Sequence, residues 1–392
     1  MEAKIYEDKS EETITRNWII KTSELGGRGI FASKPIKRGS LIFSNRPLAV
    51  GPRADFAGKT FCSICYDTSY SCYPCEKCAM FVCSEDCANS QQHANECAFV
   101  VQNWKLKRNS EINTKVQAEI LIYIRLLLLN EEQKQLLSLL QKSKNSFSAK
   151  NLDLLCSEYI IPEEHMKLIK IITSIMIVNS FRISWNANGK KTPLRGIYPF
   201  SSFLNHNCVP NTRNVFKTDH TMLVYASKDI EIGEEILTCY TGILWCTPAR
   251  RCQLYKTKQF WCSCERCKDP TELGTRLSAL NCLNRECVGV LLPITPTDPK
   301  TPWNCDNCNK IVSCQKIGAV LSVLGSLVGT LDVDNQFRLE TLILERLSRL
   351  VPYSNHIFVD LRLRLSFKIG FTEGLQLTGI LLKFSKLTPF QF

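Results

Sequence analysis

The sequence predicts an α+β chain, and three observations carry that expectation. Short β-prone segments with glycine turns occupy residues 14–50 and 196–240. Segments with apolar residues at spacings of three and four occupy 112–180 and 316–392. Between them lie cysteine clusters with the spacing of metal ligands. At 392 residues there is room for two to four domains, and 44% hydrophobic residues is ordinary globular composition. The net charge of +12 fits an acidic or nucleic-acid partner without requiring one. The opening "MEAKIYEDKSEET" has no apolar stretch, so no secretory signal is expected. The greasiest run, "ILIYIRLLLL" (120–129), is broken by Arg125 and is too short to span a bilayer. An intracellular protein, cytoplasmic or nuclear, is the expectation, with no membrane role. In that reducing setting the 21 cysteines should bind metal, lie buried or do chemistry rather than pair as disulfides.

In chain order, "TRNWII" and "SLIF" read as strands around a turn rich in glycine (Gly26, Gly27, Gly29). Next come Cys62-x2-Cys65, Cys75-x2-Cys78, Cys83-x3-Cys87 and His93-x3-Cys97. Eight ligands make two tetrahedral zinc sites, one of four thiolates and one of three thiolates and an imidazole. Cys72 rivals Cys75, but only Cys75 keeps the two-residue spacing to Cys78. "KLKR" (105–108) reads as a solvated helix start and "LLLL" (126–129) as core. "INTKVQAEILIYIRLLLLNEEQKQLLSLLQ" reads as one helical stretch, and Pro162 with two acids opens another. "TMLVYAS", a turn at "EIGEE" and "ILTCYT" return to strand.

Cys262-x-Cys264-x2-Cys267 leaves a tetrahedral zinc one ligand short, and Cys208 is the candidate for the fourth. Cys282-x4-Cys287 with Cys305-x2-Cys308 has ribbon-like spacing. About four zinc ions are therefore expected, using fifteen cysteines and one histidine. Cys72, Cys156, Cys239, Cys246, Cys252 and Cys314 remain, and are expected as small buried hydrophobes. His165 and His356 should satisfy local hydrogen bonds, and His220 should lie in a loop or at a strand edge. The tail reads as three helices over 319–331, 335–351 and 356–370.

The stretch "FSSFLNHNCVPNT" (200–212) crowds Asn205, His206, Asn207, Cys208, Pro210 and Asn211 together. It reads either as an Asn/Pro turn or as a site, and the unpaired thiol triplet favours a site. With "GGRGIFA", the eight-ligand module, "NSF" (179–181), "GIYPFSSFLNHNCVPN", "GEEILTCYT" and "KQFWCSCERC" in this order, the chain resembles the SET- and MYND-domain lysine methyltransferases, and within them the arthropod-type group. The resemblance covers roughly residues 14–370.

That resemblance implies a β-rich SET domain with a pseudoknot, interrupted by a MYND zinc module and a helical insert. The implied parts are a first SET piece (14–61), the MYND finger (62–97), the insert (98–185), the SET core (186–260), a post-SET site with a zinc ribbon (261–315) and C-terminal helices (316–392). It also implies that Cys62, Cys65, Cys83 and Cys87 share one zinc while Cys75, Cys78, His93 and Cys97 share the other. S-adenosylmethionine is the implied methyl donor. Arg28, Gly29, Asn179, Ser202, Leu204, Asn205, His206, Tyr240 and Phe260 are its implied contacts, with Phe260 stacking on adenine. Tyr240 is the implied catalytic tyrosine, and Cys208 the implied fourth post-SET ligand. The family's C-terminal arm is longer than the one read here.

In-line methyl transfer needs sulfur, methyl and a neutral lysine nitrogen held collinear and dry. Two departures stand out. Asn207 replaces the usual serine, and Lys258 falls where a second channel tyrosine is usual. An aromatic wall attracts an incoming cation, whereas an ammonium repels it. The implied function is therefore a protein-lysine methyltransferase acting on histones or other proteins, with a transcriptional role. The alternative is a weak or inactive SET scaffold serving as a MYND adaptor. Residues 60–97 carry Asp67, Glu76, Glu85, Asp86 and Glu96 against Lys77 alone. That charge speaks against phosphate binding and for short peptide motifs as partners. A monomer is expected.

Overall fold

The computed structural model describes residues 16–53, 60–68, 71–107, 113–143, 149–187, 190–329 and 347–371. It has two units, divided between Cys239 and Tyr240.

In the first unit, three sheets of three or four strands and two short two-stranded pairs accompany one hydrophobic core. A hairpin pairs Trp18–Thr22 with Arg28–Ala32, turning through Gly26 and Gly27 at φ 119° and 67°. Those angles are open to glycine at little steric cost. Glu235–Thr238 adds antiparallel to Arg28–Ala32, and Asn205–His206 adds parallel to Glu235–Thr238. A second sheet orders Ala49–Pro52, Lys190–Ile197 and Ser180–Ala187. The third orders Thr212–Phe216, Met222–Ala226 and Leu41–Asn45. Met222–Ala226 alternates buried and half-buried residues, as the two-residue strand period requires.

The strand Ala49–Pro52 is buried throughout and lies against the helix Thr114–Leu127. A side chain at Gly51 would meet Ile122 Cβ at 3.0 Å, so glycine is what permits this approach. That helix is buried along most of its length, which places its apolar run in the interior. The long helical stretch read from sequence is in fact two helices. The first ends at Leu127 with Leu128 as its cap, and Asn130 caps Glu131–Ser138, its side chain accepting from Gln133 N while Gln133 reaches back to Asn130 N. Leu126 and Leu129 are core, but Leu128 is exposed where the chain turns. "KLKR" does not start a helix: Lys105–Leu106 pairs with Tyr159–Ile160 as a short strand. The backbone there has found a partner strand, which local charge does not report.

The second unit starts with the helix Thr247–Lys258, which Gln259 ends at a left-handed φ of 63°. A four-stranded ribbon follows in the order Leu280–Asn281, Val290–Pro293, Trp303–Cys305, Ile311–Val312. Leu280, Leu291 and Trp303 of the ribbon share one core with Ile317 and Leu324 of the helix Cys314–Gly329 and with Phe358 and Leu361 of His356–Phe371. Most of the middle tail helix read from sequence lies outside the described residues.

Two further expectations need correction. Of the six leftover cysteines only Cys246 is buried; the others are half-buried, on partly covered faces. The histidines bond over long range. His165 Nδ1 accepts from Trp104 Nε1 at 3.0 Å, and His356 Nδ1 lies 3.2 Å from Leu277 O. His220 sits, as read, in a tight turn at φ 64° with its ring against Tyr66. No helix among the described residues is long and apolar enough to cross a membrane.

Candidate functional site: a wrapped strand and four thiol clusters

The stretch 205–212 wraps the strand Glu235–Thr238 with its own polar groups. Asn205 and His206 pair with Leu237 and Thr238, and Asn207 N donates to Thr238 O at 3.0 Å. Asn211 is buried and acts as a substitute peptide group. Its amide nitrogen donates to Glu235 O at 2.8 Å, and its oxygen accepts from Leu237 N at 2.7 Å. Thr212 Oγ1 donates to Leu237 O at 2.8 Å. Asn207 Oδ1 accepts from Val209 N at 2.9 Å, closing the local turn. The crowded asparagines are therefore hydrogen-bonding partners for a strand edge that a two-residue ladder leaves mostly unpaired.

At the start of this wrap, Asn205 Nδ2 donates to Arg28 O at 3.1 Å and to Glu235 Oε1 at 2.7 Å. Ser23 Oγ donates to Glu235 Oε2 at 2.8 Å. Gly29 is buried beneath them: a Cβ there would fall 2.2 Å from Glu235 Oε1 and 3.0 Å from Asn205 Nδ2. Glu235 organises this corner, and the sequence reading missed it. Its signal was present in "GEEILTCYT", but an acid after a turn glycine looks like any solvated acid. Arg28 donates to Leu139 O and stacks its guanidinium over Phe203, 4.7 Å from the ring centroid. Ser202 Oγ donates to Tyr198 O at 2.7 Å, and Leu204 is buried. Asn179 ends the helix Glu163–Asn179, with its amide donating to Gln141 O and Ile175 O, each at 2.7 Å. Thus Gly29 and Asn205 meet at Glu235 and Asn205 also holds the Arg28 carbonyl, while Asn179 is tied to different partners. Replacing Gly29 with alanine is expected to cost about 1–3 kcal/mol, because the held Glu235 carboxylate must move. Urea unfolding measures it, and an unchanged midpoint would show that Glu235 yields freely.

Four groups of side chains can each hold a metal ion, with ligand atoms within 4.8 Å of one another. They are Cys62, Cys65, Cys83 and Cys87; Cys75, Cys78, His93 and Cys97; Cys208, Cys262, Cys264 and Cys267; and Cys282, Cys287, Cys305 and Cys308. A tetrahedron with zinc–sulfur bonds of about 2.3 Å has sulfur–sulfur edges of about 3.8 Å. The separations Cys65–Cys83, Cys83–Cys87, Cys75–Cys97, Cys282–Cys308 and Cys287–Cys305 are 3.5, 3.7, 3.9, 3.6 and 3.7 Å. These are metal-edge distances, far longer than a disulfide. His93 is 3% exposed, yet neither ring nitrogen has a hydrogen-bond partner. A buried imidazole in that condition suits a metal ligand.

Thiol acidity is divided within the clusters: Cys62, Cys75 and Cys287 are held down, whereas burial pushes Cys78, Cys83, Cys97 and Cys282 up. The Cys65 thiol donates to Cys62 and holds its pKa down to about 4, while the same bond pushes Cys65 far above the usual thiol range. Backbone donation from Gly289, with the Asn307 amide, holds Cys287 down to about 6. The residues directly after three C-x2-C turns (Tyr66, Ala79 and Asn309) all take left-handed φ, at 62°, 62° and 57°. The shared backbone bend aims both sulfurs of each turn at one point.

The acid excess of the module is smaller at the surface than the sequence suggested. Asp67 and Glu96 are buried, and Glu96 Oε1 pairs with Arg125 Nε at 2.7 Å. In the second unit, Tyr240 is half-buried and lies beyond the strand that ends at Thr238. Lys258 Nζ sits over its ring, 5.4 Å from the centroid. Phe260 is half-buried just past the same helix.

The SET domain matches residues 27–241, which hold the wrapped strand and the glycine corner. The SET domain-containing protein SmydA-8, isoform A, of Drosophila melanogaster is 30% identical over 90% of this chain and 78% of its own length. The chain is a SET-domain protein of the SMYD family. The SET family is one of S-adenosylmethionine-dependent protein-lysine methyltransferases. Among other SMYD relatives, human histone-lysine N-methyltransferase SMYD3 is 43% identical over 24% of this chain and 21% of its own length. The Arabidopsis thaliana histone-lysine N-methyltransferase ASHR1 is 24% identical over 76% of this chain and 65% of its own length.

Proposed function

We propose that this SMYD-family chain is an intracellular protein-lysine N-methyltransferase acting on histone or non-histone proteins, with the domain order 14–61, 62–97, 98–185, 186–260, 261–315 and 316–392 set out above. The observation that carries the reading is the wrap of 205–212 around Glu235–Thr238, which brings Asn205 beside Gly29 and Arg28. S-adenosylmethionine would supply an electrophilic methyl group. Arg28, Gly29, Asn179, Ser202, Leu204, Asn205, His206, Tyr240 and Phe260 would hold it. The polar complement suits the donor's amino-acid end. The amide N–H groups of Asn179 and Asn205 are committed to backbone and Glu235 acceptors, which turns each side-chain oxygen into the atom offered to an ammonium. The Phe260 ring would lie against adenine.

Tyr240 would orient the acceptor amine through its hydroxyl, a contribution that depends on fixed geometry rather than on proton transfer by a strong base. The four thiol groups would hold about four structural zinc ions, since each offers four protein ligands and leaves no open position. The zinc module at 62–97 would take short peptide motifs. Its exposed acids Glu76, Glu85 and Asp86 disfavour phosphate backbones.

Two measurements test this. Calorimetry should show S-adenosylmethionine binding, and a radiolabelled methyl assay on histones and cell extract should show transfer. Tyr240→Phe keeps the ring and removes only the hydroxyl, so it should lower the transfer rate about a hundredfold or more while weakening donor affinity far less. Equal transfer by the variant would remove Tyr240 from catalysis, and donor binding without transfer to any protein would favour the adaptor reading, which Lys258 supports.

A further inference from the structure

The helix Thr247–Lys258 ends on a lysine whose ammonium rests on an aromatic face. Lys258 Nζ lies 5.4 Å from the centroid of the Tyr240 ring, within the range of a cation–π contact. Gln259 turns the backbone sharply away at φ 63°, so the helix terminus sets where this side chain starts. The face of one tyrosine is a seat for one alkylammonium, and here a residue of the chain itself takes it. A second ammonium brought to the same face would meet a like charge at short range as well as an occupied ring.

Resting on the reading that Tyr240 borders the acceptor amine, we propose that Lys258 is a residue that sets acceptor affinity. Its ammonium fills the cation seat on Tyr240, and an acceptor lysine must displace it to bind. The competition raises KM for every acceptor lysine, so tight binding has to come from contacts of the flanking segment. Because a partly exposed cation–π contact is weak, the barrier is a competition rather than a block, and its removal should be read as about a three- to fivefold change.

The test compares the wild-type protein with Lys258→Gln and Lys258→Arg. With lysine-bearing peptides from histones and cell proteins, Lys258→Gln should lower KM about three- to fivefold, with kcat and donor affinity unchanged. Lys258→Arg, which restores a cation over the ring, should behave as the wild type. A second readout needs no turnover. n-Butylammonium is titrated into protein carrying ring-labelled tyrosine, with the Tyr240 resonance assigned by Tyr240→Phe. Lys258→Gln should bind the probe at Tyr240 about three- to fivefold more tightly than wild type or Lys258→Arg. Measurable transfer with the same KM in all three proteins, or equal probe affinity in all three, would overturn the role of Lys258 and leave the methyltransferase reading standing. No methyl transfer to any protein by the wild type or by either variant would overturn both.

Discussion

Removing metal from the module at 62–97 is expected to unfold far more than the module. Phe61, Tyr66, Cys78, Met80, Cys97 and Val100 belong to the same hydrophobic core as Trp18, Ile122, Met176, Ile197 and Ile236. Zinc binding by small modules is worth on the order of 10 kcal/mol or more, comparable to the whole stability of a domain. Cys78→Ser, which removes a buried ligand of the mixed thiol–imidazole set, should therefore lower metal content by about one zinc per chain. It should also bring the unfolding of the entire first unit well below the wild-type temperature. Metal analysis and thermal unfolding by circular dichroism measure the two effects. Hydrogen exchange locates them: protection should fall in the helix Thr114–Leu127 as well as in the module. A loss confined to residues 62–97 would show that the finger folds independently of the core it adjoins.

The second large effect centres on Arg125, the residue that interrupts the greasiest run of the sequence. Its guanidinium is almost wholly buried. Nε donates to Glu96 Oε1 at 2.7 Å, Nη1 to Val50 O at 2.6 Å and to the Tyr66 hydroxyl, and Nη2 to Ser63 O at 2.7 Å. One side chain thus ties the helical insert to the strand Ala49–Pro52, to the first C-x2-C turn and to the helix Gln91–Asn103. Arg125→Met should cost about 3–5 kcal/mol, because it strands the buried Glu96 carboxylate and the Ser63 carbonyl, while Val50 O keeps the Tyr66 hydroxyl. The double variant Arg125→Met/Glu96→Gln should recover part of that loss, since the stranded charge goes with the glutamate. Urea unfolding of the four proteins of this cycle gives the coupling directly. Strict additivity would mean that the ion pair contributes nothing beyond its separate packing.

Arg125 also shows where sequence reading fails. An arginine inside an apolar helical run was legible as the reason this segment cannot span a membrane. Its partners were not, because Glu96, Tyr66 and Val50 are brought to it by chain reversals that composition does not encode. The same holds for Glu235, whose role at the Gly29 corner depends on Asn205 and Ser23 arriving from elsewhere. Conversely, the break at Asn130 was readable in principle. Asn130 followed by Gln133 is a local capping pair, overlooked because the apolar periodicity continues through it.

Short-range chemistry was thus settled along the chain: the C-x2-C turns, the apolar helix Thr114–Leu127 and the glycine hairpin each depend on residues within a few positions of each other, and the SET-type order is a succession of such local motifs. Folding decided the rest. Any thiol can ligate a metal, so spacing alone allowed several quartets; the family resemblance implied the split of the Cys62 set from the Cys75 set, and folding brings the ligand atoms together in that split. Likewise, an asparagine such as Asn211 becomes a strand partner, and Lys258 a cap on the Tyr240 ring, only when distant or turned segments close on them. The physical reason is that a side chain's donors and charges are fixed by its type, whereas what they meet is fixed by long-range burial and loop closure.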